Sequence, residues 1–330
     1  MKRIYSGIKP TGELHLGNYL GAIKNWIPLQ DKYECIFGIV DYHAMTAGYD
    51  KDKVEDYVLK IAANYLACGL DPEKSVLMIQ SAVPEHTELA WILNCLTPIS
   101  WLERVPTFKE KAQQHADNLN MGLMDYPVLM TADIIIYKAE AVPVGEDQLP
   151  HIELCREILR RFNAKFGTVF PEPKSILGKI SRIKGLDGSA KMGKSLGNCI
   201  YLIEAPKEIK KKINKGITDP ARVLKTDPGD PEKCNLYDYH RLFSDEEKLA
   251  EIREGCTTAG IGCVKCKKWL YKNVMKELEP IQSKYSELIA KPDYLRDIYT
   301  EGSKKARKTA IETMEEVRDK ISLNYRFMKK

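Results

Sequence analysis

Two short segments carry residue types suited to chemistry on a nucleoside triphosphate. One reads Pro-Thr-Gly-Glu-Leu-His-Leu-Gly-Asn and contains His15, Gly17 and Asn18; the other reads Lys-Met-Gly-Lys-Ser and contains Lys191 and Lys194. Imidazole and amide groups can hydrogen-bond phosphate oxygens, and a glycine lets the backbone approach them closely. Two lysine ammonium groups can stabilise the negative charge that develops on a leaving phosphate. The two segments together indicate a site for displacement at phosphorus.

The elements around the first segment would hold it against phosphate. An apolar stretch over residues 3–8 precedes it, and an amphipathic helical pattern over residues 19–29 follows it. A strand, a tight turn and a helix start direct backbone N–H groups and the helix dipole toward an anion. The alternation continues, and the sequence predicts strands over residues 34–40, 75–80 and 142–144 and helices over residues 51–70, from Pro84 onward and over 151–166.

This alternation predicts an α/β fold with a Rossmann-type parallel sheet, because strand–helix–strand units form parallel sheets with right-handed crossovers. Ligands of such sheets lie at the carboxyl ends of the strands. Gly7, His15 and residues 41–43 fall at these ends. The fold therefore predicts a nucleotide site built from the first half of the chain.

The sequence pattern changes along the 330-residue chain. Residues from about 99 to 140 read as a helical insertion within the sheet domain, and helix periodicity dominates from Pro206 onward. Long charged helices are expected near the C-terminus, over residues 269–288 and 303–323. We therefore predict two domains, a catalytic domain over residues 1–200 and an all-helical domain over residues 201–330.

Bulk properties narrow the class of protein. Hydrophobic residues make up 44% of the chain, which is enough for a core and argues against disorder. No secretory signal and no apolar run of about 18 residues is present, so we expect a cytoplasmic protein that does not enter a membrane. The net charge of +5 is modest, but lysines cluster over residues 207–215 and 304–308. These clusters are either solvated helix faces or surfaces that contact RNA.

Four of the nine cysteines are grouped in the predicted helical domain. Disulfides are not expected in the cytoplasm. Their spacing is Cys-x21-Cys-x6-Cys-x2-Cys, at Cys234, Cys256, Cys263 and Cys266. Four soft ligands suit a structural Zn²⁺ or a [4Fe–4S] cluster, and unligated thiols are the remaining reading.

The motifs together resemble a known enzyme family. The His-Leu-Gly-Asn and Lys-Met-Gly-Lys-Ser segments resemble the HIGH and KMSKS signatures of class I aminoacyl-tRNA synthetases. Residues 125–137 and 142–148, with shorter segments at 6–8, 40–44 and 152–154, closely resemble bacterial-type tryptophanyl-tRNA synthetases. The resemblance covers most of residues 1–200 and continues more weakly to the C-terminus.

The resemblance implies a tryptophan–tRNA ligase. Such an enzyme joins L-tryptophan to ATP as tryptophanyl-adenylate, with Mg²⁺ neutralising the triphosphate, and then passes the tryptophanyl group to tRNA(Trp). The catalytic residues it implies are His15, Asn18, Lys111, Lys191 and Lys194. The ATP-binding residues it implies are Lys9, Gly17, Asn18, Asp147, Lys191, Met192, Lys194 and Ser195.

The resemblance also assigns a tryptophan pocket around Asp133, which would accept the indole N–H in apolar surroundings. Indole has a single donor, so one buried acceptor separates it from phenylalanine. The remaining pocket residues it implies are Tyr5, Gly7, His43, Tyr126, Met130, Val142, Val144 and Gln148. For Met130 and the two valines, ordinary core positions explain the spacing equally well.

Some members of this family carry a [4Fe–4S] cluster at a similar cysteine motif, and the family implies a homodimer and a helical anticodon-recognition domain. The chain departs from the usual pattern at Tyr5, Lys9, Thr107 and Gly193, and the glycine should make the lysine loop more flexible. Three rivals stay open: a tyrosyl-tRNA synthetase, an RNA-binding or iron–sulfur paralogue without aminoacylation, and a small nucleotidyltransferase. The last would not explain the lysine loop.

Overall fold

A computed structural model defines the backbone and side chains of most of the chain. It describes residues 1–46, 49–105, 120–178, 183–189 and 192–325. The predictions for Thr107, Lys111 and Lys191 lie outside the described residues.

A five-stranded sheet forms the centre of the fold, and its four described strand pairs are all parallel. The strand order is β3-β2-β1-β4-β5. β1 is therefore the central strand, with β2 and β3 on one side of it and β4 and β5 on the other. This confirms the predicted α/β fold class. The strands are β1 (Arg3–Ile8), β2 (Glu34–Ile39), β3 (Ser75–Ile79), β4 (Ala141–Val144) and β5 (Lys174–Leu177).

The apolar composition of the central strands explains their position. In β2, every residue after Glu34 is buried, as expected for a strand covered on both faces. β5 was not predicted, because its four residues, Lys-Ser-Ile-Leu, are half-buried or exposed and include two polar side chains. It is an edge strand, paired only with β4 among the described strands.

Helices connect and cover the strands, and the predicted helices over residues 51–70, from Pro84 onward and over 151–166 are present within a few residues of the predicted bounds. The predicted helix over residues 51–70 spans Val54–Ala67, and the predicted helix over residues 151–166 begins at Leu149. The described α-helices are Leu16–Asn18, Lys24–Trp26, Asp41–Ala44, Val54–Ala67, Glu85–Asn94, Ile99–Glu103, Met121–Ile135, Leu149–Phe166, Pro206–Lys215, Asn235–Phe243, Glu246–Thr257, Cys263–Ile289 and Pro292–Lys320.

The helix expected over residues 19–29 is not one regular element. A π-helical segment, Tyr19–Ile23, separates the two short α-helices, and Ile27–Leu29 is a 3-10 turn. The 3-10 turn contains Pro28, which lacks the N–H needed to continue an α-helical ladder. No described helix is long and apolar enough to cross a lipid bilayer.

Contacts divide the chain into two compact units. The first comprises Met1–Gly12, Ala22–Ser181 and Leu288–Lys330, and the second comprises Glu13–Gly21 and Arg182–Glu287. The sheet and its apolar core belong to the first unit, and the region around the four grouped cysteines belongs to the second. The division into domains at residue 200 stays a prediction.

The helix Pro292–Lys320 completes the first unit by packing directly on β3. A Cβ atom at Gly302 would overlap the Leu77 carbonyl, so only glycine fits there. Beside it, the Ile79 N–H donates to the Ser303 Oγ at 3.1 Å. The backbone of this C-terminal helix therefore packs directly against the backbone of β3.

Candidate active site

The first candidate site surrounds a buried acid, Asp133, in the helix Met121–Ile135. The Asn120 side chain caps this helix by accepting the Leu123 N–H at 3.0 Å. Asp133 is only 1% exposed, and three buried isoleucines and a buried tyrosine follow it in sequence. A carboxylate in such surroundings costs free energy unless hydrogen bonds satisfy it.

Three side chains contact the Asp133 carboxylate. His86 Nδ1 lies 2.6 Å and Gln80 Nε2 2.8 Å from its Oδ1. His43 Nε2 lies 2.8 Å and the same Gln80 nitrogen 2.9 Å from its Oδ2. Burial raises the pKa of Asp133, but His86 and His43 outweigh burial and hold this pKa well below its ordinary value. The carboxylate is therefore ionised at neutral pH and acts as an acceptor.

Aromatic residues lie close to this carboxylate. The Tyr126 ring lies edge-on to the His43 ring at 6.4 Å, and its hydroxyl is 2.7 Å from His151 Nε2. The Lys9 ammonium lies 5.3 Å from the centroid of the Tyr126 ring, which is a cation–π distance. The structure therefore brings together Lys9, His43, Tyr126 and Asp133, four of the residues that the sequence singled out.

Further predicted pocket residues lie in or pack against the sheet. A Cβ atom at Gly7 would lie 2.8 Å from Val40 Cγ1 and 2.9 Å from the Gly38 carbonyl oxygen, so a side chain is excluded there. Val142 is buried in the main apolar cluster, and Met130 and Val144 are partly buried against it. Packing in that cluster fits ordinary core positions as well as pocket walls, so the alternative for these three residues stays open.

The segment after β4 carries two further predicted residues. Gly145 precedes a 3-10 turn, Glu146–Gln148, and the Gln148 amide donates to Asp147 Oδ2 at 2.9 Å. Both side chains therefore lie at the carboxyl end of a parallel strand, the edge at which the fold predicts a ligand. Their roles in binding ATP and tryptophan stay predictions.

Sequence reasoning missed Gln80, His86, Tyr137 and His151. Gln80 directly follows β3 and His86 lies in the first turn of Glu85–Asn94, positions at which a strand end and a helix start meet. Tyr5 was predicted as a pocket residue, and its ring stacks on Tyr137 with centroids 5.4 Å apart. Burial, then Asp133, raises the pKa of both tyrosines.

The second candidate site lies in the second unit, at the start of the short helix Leu16–Asn18. His15 has extended backbone angles and caps this helix: its Nδ1 accepts the Gly17 N–H at 3.0 Å. Asn18 Oδ1 accepts the His15 N–H at 3.1 Å, which completes a reciprocal capping pair. Because Nδ1 accepts, the proton of a neutral His15 ring is on Nε2.

Gly17 is required by this cap. A Cβ atom at Gly17 would lie 2.8 Å from both His15 Cε1 and His15 Nδ1, and 3.9 Å from Met192 Cβ. The glycine therefore allows the imidazole to fold back over the helix start. Met192 itself is buried, and its N–H donates to the Ile183 carbonyl at 3.0 Å.

The lysine-bearing segment ends in a single 3-10 turn, Lys194–Leu196, closed by Gly197 in the left-handed region at φ +64°. Burial lowers the pKa of the Lys194 ammonium below its ordinary value. A bound anion would offset that cost of burial, because opposite charge favours the protonated form. Lys194 and His15 therefore present, in one unit, the donors that the sequence predicted for a triphosphate.

An amide side chain that the sequence did not single out organises this loop. Asn198 is buried, its Oδ1 accepts the Gly193 N–H at 2.9 Å, and its Nδ2 lies 3.0 Å from Asp187 Oδ1. The Gly193 backbone is extended, at φ −155° and ψ 146°, a conformation that any residue adopts. The added flexibility expected from this glycine stays a prediction.

The four grouped thiols lie in the second unit around a buried arginine and a buried histidine. Arg222 Nη1 donates to Cys256 Sγ at 3.5 Å, and His240 Nε2 lies 3.3 Å from Cys266 Sγ. Burial raises the pKa of Cys266 to about 12, and the other three grouped thiols add to this. Over the described residues, no three His, Cys, Asp or Glu side chains are arranged to hold a metal ion.

Comparison with known proteins agrees with this geometry. The family model of class I tRNA synthetases for tryptophan and tyrosine matches residues 1–279. The tryptophan–tRNA ligase of Deinococcus radiodurans is 48% identical over 97% of this chain and 98% of its own. The ligase of Thermotoga maritima is also 48% identical, over 98% of this chain and 100% of its own.

Solved structures give the same result. The tryptophanyl-tRNA synthetase of Campylobacter jejuni, complexed with ADP and tryptophan, superposes with a TM-score of 0.86 and is 39% identical. The match covers 97% of this chain and 99% of that one. A tyrosyl-tRNA synthetase of Archaeoglobus fulgidus, 21% identical with a TM-score of 0.65, shares the fold.

The chain belongs to the class I tRNA synthetases of the tryptophan and tyrosine family. Within this family it is a bacterial-type tryptophanyl-tRNA synthetase, because its full-length relatives at 48% identity are tryptophan–tRNA ligases. The resemblance seen in the sequence is thereby confirmed at the level of family and enzyme class.

Proposed function

We propose that the chain activates L-tryptophan with ATP and transfers the tryptophanyl group to the terminal adenosine of tRNA(Trp). The observation that carries the choice of amino acid is Asp133, a buried and ionised acceptor held by three side chains. In the first step the tryptophan carboxylate attacks the α-phosphorus of ATP, a phosphoanhydride bond breaks, and pyrophosphate leaves. Positioning and electrostatic stabilisation supply the catalysis, without a covalent enzyme intermediate.

Asp133 accepts the indole N–H in this proposal. A phenylalanine side chain has no such donor and would leave the buried carboxylate without that partner, which a hydrogen-bonding site disfavours strongly. Tyr126 and Gln148 bind the amino and carboxylate groups, and His43 lies beside the indole. The remaining pocket residues are those named above, Tyr5, Gly7, Met130, Val142 and Val144.

The triphosphate is held by the signature segments. His15 and Asn18 hydrogen-bond phosphate oxygens, and Lys194, with Lys191 and Lys111, stabilises the charge on the leaving pyrophosphate. Burial lowers the pKa of Lys194, and a bound polyphosphate would offset this effect because opposite charge favours the protonated form. Mg²⁺ enters with ATP as part of the substrate. The remaining ATP contacts are Lys9, Gly17, Asp147, Met192 and Ser195.

ATP–pyrophosphate exchange with each amino acid tests the proposal. We expect exchange with tryptophan and none with tyrosine, and D133N should raise the KM for tryptophan by about 10- to 100-fold. T131V is the matched control, because Thr131 lies in the same helix, is fully buried, and its hydroxyl donates to the Pro127 carbonyl at 2.9 Å. Exchange with tyrosine alone would support the tyrosyl rival, and tRNA binding without exchange would support the paralogue.

We also propose that Cys234, Cys256, Cys263 and Cys266 hold a [4Fe–4S] cluster, with a structural Zn²⁺ as the alternative. The donor set fits a soft metal, since all four side chains are thiols whose charges act on Cys266. The Arg222 guanidinium, which contacts Cys256, would stabilise thiolate ligands. The cluster would be structural, tying together the start of Asn235–Phe243, the end of Glu246–Thr257 and the start of Cys263–Ile289.

Metal analysis of protein purified without oxygen tests this assignment. About four irons per chain with broad absorption near 400 nm is the expected result. One zinc in a colourless sample would favour the alternative. C266S should lose the metal while C95S, at an exposed cysteine outside the group, should keep it. Equal metal content in both variants, or none in the unmodified protein, would contradict the site.

A homodimer is the proposed assembly. Three large apolar side chains are exposed in the first unit: Trp91 (71%), Ile99 (64%) and Met121 (73%). They lie on three helices, Glu85–Asn94, Ile99–Glu103 and Met121–Ile135, two pairs of which contact each other. A second copy covering these three side chains would remove them from water. Sedimentation of the protein and of W91E tests this: the variant should dissociate at concentrations at which the parent is dimeric.

The helical region is proposed to contact tRNA. The helix Pro206–Lys215 exposes Lys207, Lys210 and Lys211 on one cationic face, which suits a phosphate backbone. Charge reversal by K207E with K211E should raise the KM for tRNA and leave ATP–pyrophosphate exchange unchanged. An unchanged KM for tRNA would mean that these lysines form an ordinary solvated helix face that does not contact tRNA. The substrates ATP and tRNA place the proposed activity in the cytoplasm.

A further inference from the structure

The three donors around Asp133 are not equivalent. His86 is fully buried and uses both ring nitrogens: Nδ1 lies 2.6 Å from Asp133 Oδ1, and Nε2 lies 2.7 Å from the Tyr137 hydroxyl. His43 uses Nε2 for Asp133, while its Nδ1 is buried without a hydrogen-bond partner. His86 is therefore fixed at two points, and His43 at one.

The Asp133 contact fixes which nitrogen of a neutral His86 ring carries the proton, and Tyr137 pairs with the other nitrogen. An ionised carboxylate only accepts hydrogen bonds, so His86 Nδ1 must be the donor to Asp133. In the neutral ring, Nε2 then accepts the Tyr137 O–H. Tyr137 remains protonated, because burial, then Asp133 and Glu85, raises its pKa well above the ordinary value. The hydroxyl thus supplies the donor that this imidazole tautomer needs at Nε2.

Tyr137 is itself immobilised. It is fully buried, its ring stacks on Tyr5 in β1, and its carbonyl accepts Arg3 Nη1 at 2.7 Å. Asp133 lies in the last turn of the helix Met121–Ile135 and Tyr137 lies two residues beyond its end, so His86 links the helix to the turn that follows it. A continuous series of contacts therefore runs from Tyr5 in the first strand through Tyr137 and His86 to the Asp133 carboxylate.

We propose that His86 and Tyr137 are positioning residues that hold the Asp133 carboxylate in the orientation needed to accept the indole N–H. His86 occupies Oδ1, so the carboxylate cannot rotate about its terminal bond, and Oδ2 is kept on the side of His43. The inference rests on the proposed role of Asp133, which it deepens. His86 and Tyr137 do not touch the substrate; they act through the carboxylate.

Two substrates and three variants test the inference. The substrates are L-tryptophan and 3-benzothienyl-L-alanine, an isostere in which sulfur replaces the N–H donor. The measured quantity is the ratio of the two KM values in ATP–pyrophosphate exchange. H86L removes both ring nitrogens, H86N keeps a donor near the position of Nδ1, and Y137F removes only the hydroxyl while keeping the aromatic ring.

Positioning predicts a selective loss. In H86L the KM for tryptophan should rise by about 10- to 100-fold, the size expected for a hydrogen bond to a charged group. The KM for the isostere should stay within about twofold, because it never used the aligned oxygen, so the ratio collapses. H86N should restore part of the ratio, Y137F should lower it by about threefold to tenfold, and kcat with saturating tryptophan should change little.

The controls separate the possible failures. A pocket that is merely distorted would raise both KM values and preserve their ratio, and T131V should preserve both. An unchanged ratio in folded H86L and Y137F would overturn the inference; if H86L does not fold, Y137F decides alone. No preference for tryptophan over the isostere in the unmodified protein would instead refute the role of Asp133 as indole acceptor.

Discussion

The Gly193 N–H donates to Asn198 Oδ1 at 2.9 Å, so a buried amide fixes the residue that precedes Lys194. Asn198 in turn contacts Asp187 and Ser189, which makes it the anchor of the lysine loop. The position of the Lys194 ammonium thus depends on an interaction that closes across five residues of chain.

Removal of that anchor should affect the triphosphate and not the amino acid. In N198A we expect kcat for ATP–pyrophosphate exchange to fall by about tenfold or more, because a misplaced ammonium no longer meets the developing charge. G193S is the control: its extended backbone accepts a side chain, and the nearest atom to an added Cβ is Leu196 Cδ1 at 3.8 Å. Equal losses in the two variants would contradict the anchoring role.

Gly17 and Gly21 form a matched pair of glycines near the first signature. An alanine methyl at position 17 would lie 2.8 Å from the His15 ring, whereas at Gly21 it would meet nothing within 4 Å. G17A should therefore displace the imidazole and lower exchange activity by about 100-fold, and G21A should leave it unchanged. Steady-state exchange with saturating tryptophan distinguishes them, and an active G17A would exclude His15 from the reaction.

Asp133 and Asp125, two acids of one helix, should respond to pH with opposite signs. The histidines hold the pKa of Asp133 below its ordinary value, whereas burial raises the pKa of Asp125. Asp133 therefore contributes stability above the unfolded pKa of about 3.9, and this contribution is lost as the pH falls through the lower folded pKa. Ionised Asp125 destabilises the fold at neutral pH and ceases to do so as acidification protonates it.

Urea unfolding at several pH values checks these signs. D133N should lower the free energy of unfolding at pH 7 by about 1–3 kcal/mol, and the difference should shrink below about pH 4. D125N should be neutral or stabilising at pH 7, because it removes a buried charge and keeps an acceptor for the Asn94 amide, 2.9 Å away. A D133N protein as stable as its parent at pH 7 would mean that the three donors do not favour the charged form.

Much of this arrangement could be predicted from sequence, and the exceptions have physical reasons. β2 and β3 are short apolar runs, and this composition predicts buried strands. β5 has four residues, two of them polar, so its composition does not predict a strand. The last helix begins at Pro292, eleven residues before the predicted start. Proline at the first helical turn was the available signal.

The candidate site also contains residues that the sequence predicts and residues that it does not. His15, Gly17 and Asn18 interact within four residues of chain, so a local motif captures them. The donors of Asp133 come from 47 and 53 residues away, and only the fold brings His86 and Gln80 to the carboxylate. A tertiary contact of this kind leaves no periodic trace in the sequence.

Arg222 should matter for the cysteine region even without metal. It is buried, and its Nη2 donates to the Ile261 carbonyl at 2.6 Å and to the Lys225 carbonyl at 3.1 Å. R222Q should therefore lower the free energy of unfolding by about 1–3 kcal/mol in metal-free protein. R253Q is the control, since Arg253 is exposed and its contact to Glu232 is a surface pair. Similar losses in both variants would show that Arg222 has no special structural role.

Substitution of Gly302 should separate the last helix from the sheet. An added methyl would overlap the Leu77 carbonyl, and β3 cannot yield without disturbing β2 beside it. G302A should lower the free energy of unfolding by about 1–3 kcal/mol, the range found for overpacked cores. G21A is the control, because a methyl group added at Gly21 meets no atom within 4 Å. A stable G302A protein would mean that the helix can shift along the strand at little cost.

The place of this helix in the chain has a consequence for synthesis. All five strands of the sheet have been translated by residue 177, but the helix that covers β3 begins only at Pro292. The nascent chain must therefore keep that strand face uncovered while more than a hundred later residues are translated. Most of the second unit, from Arg182 to Glu287, is made during that interval and has the opportunity to fold first.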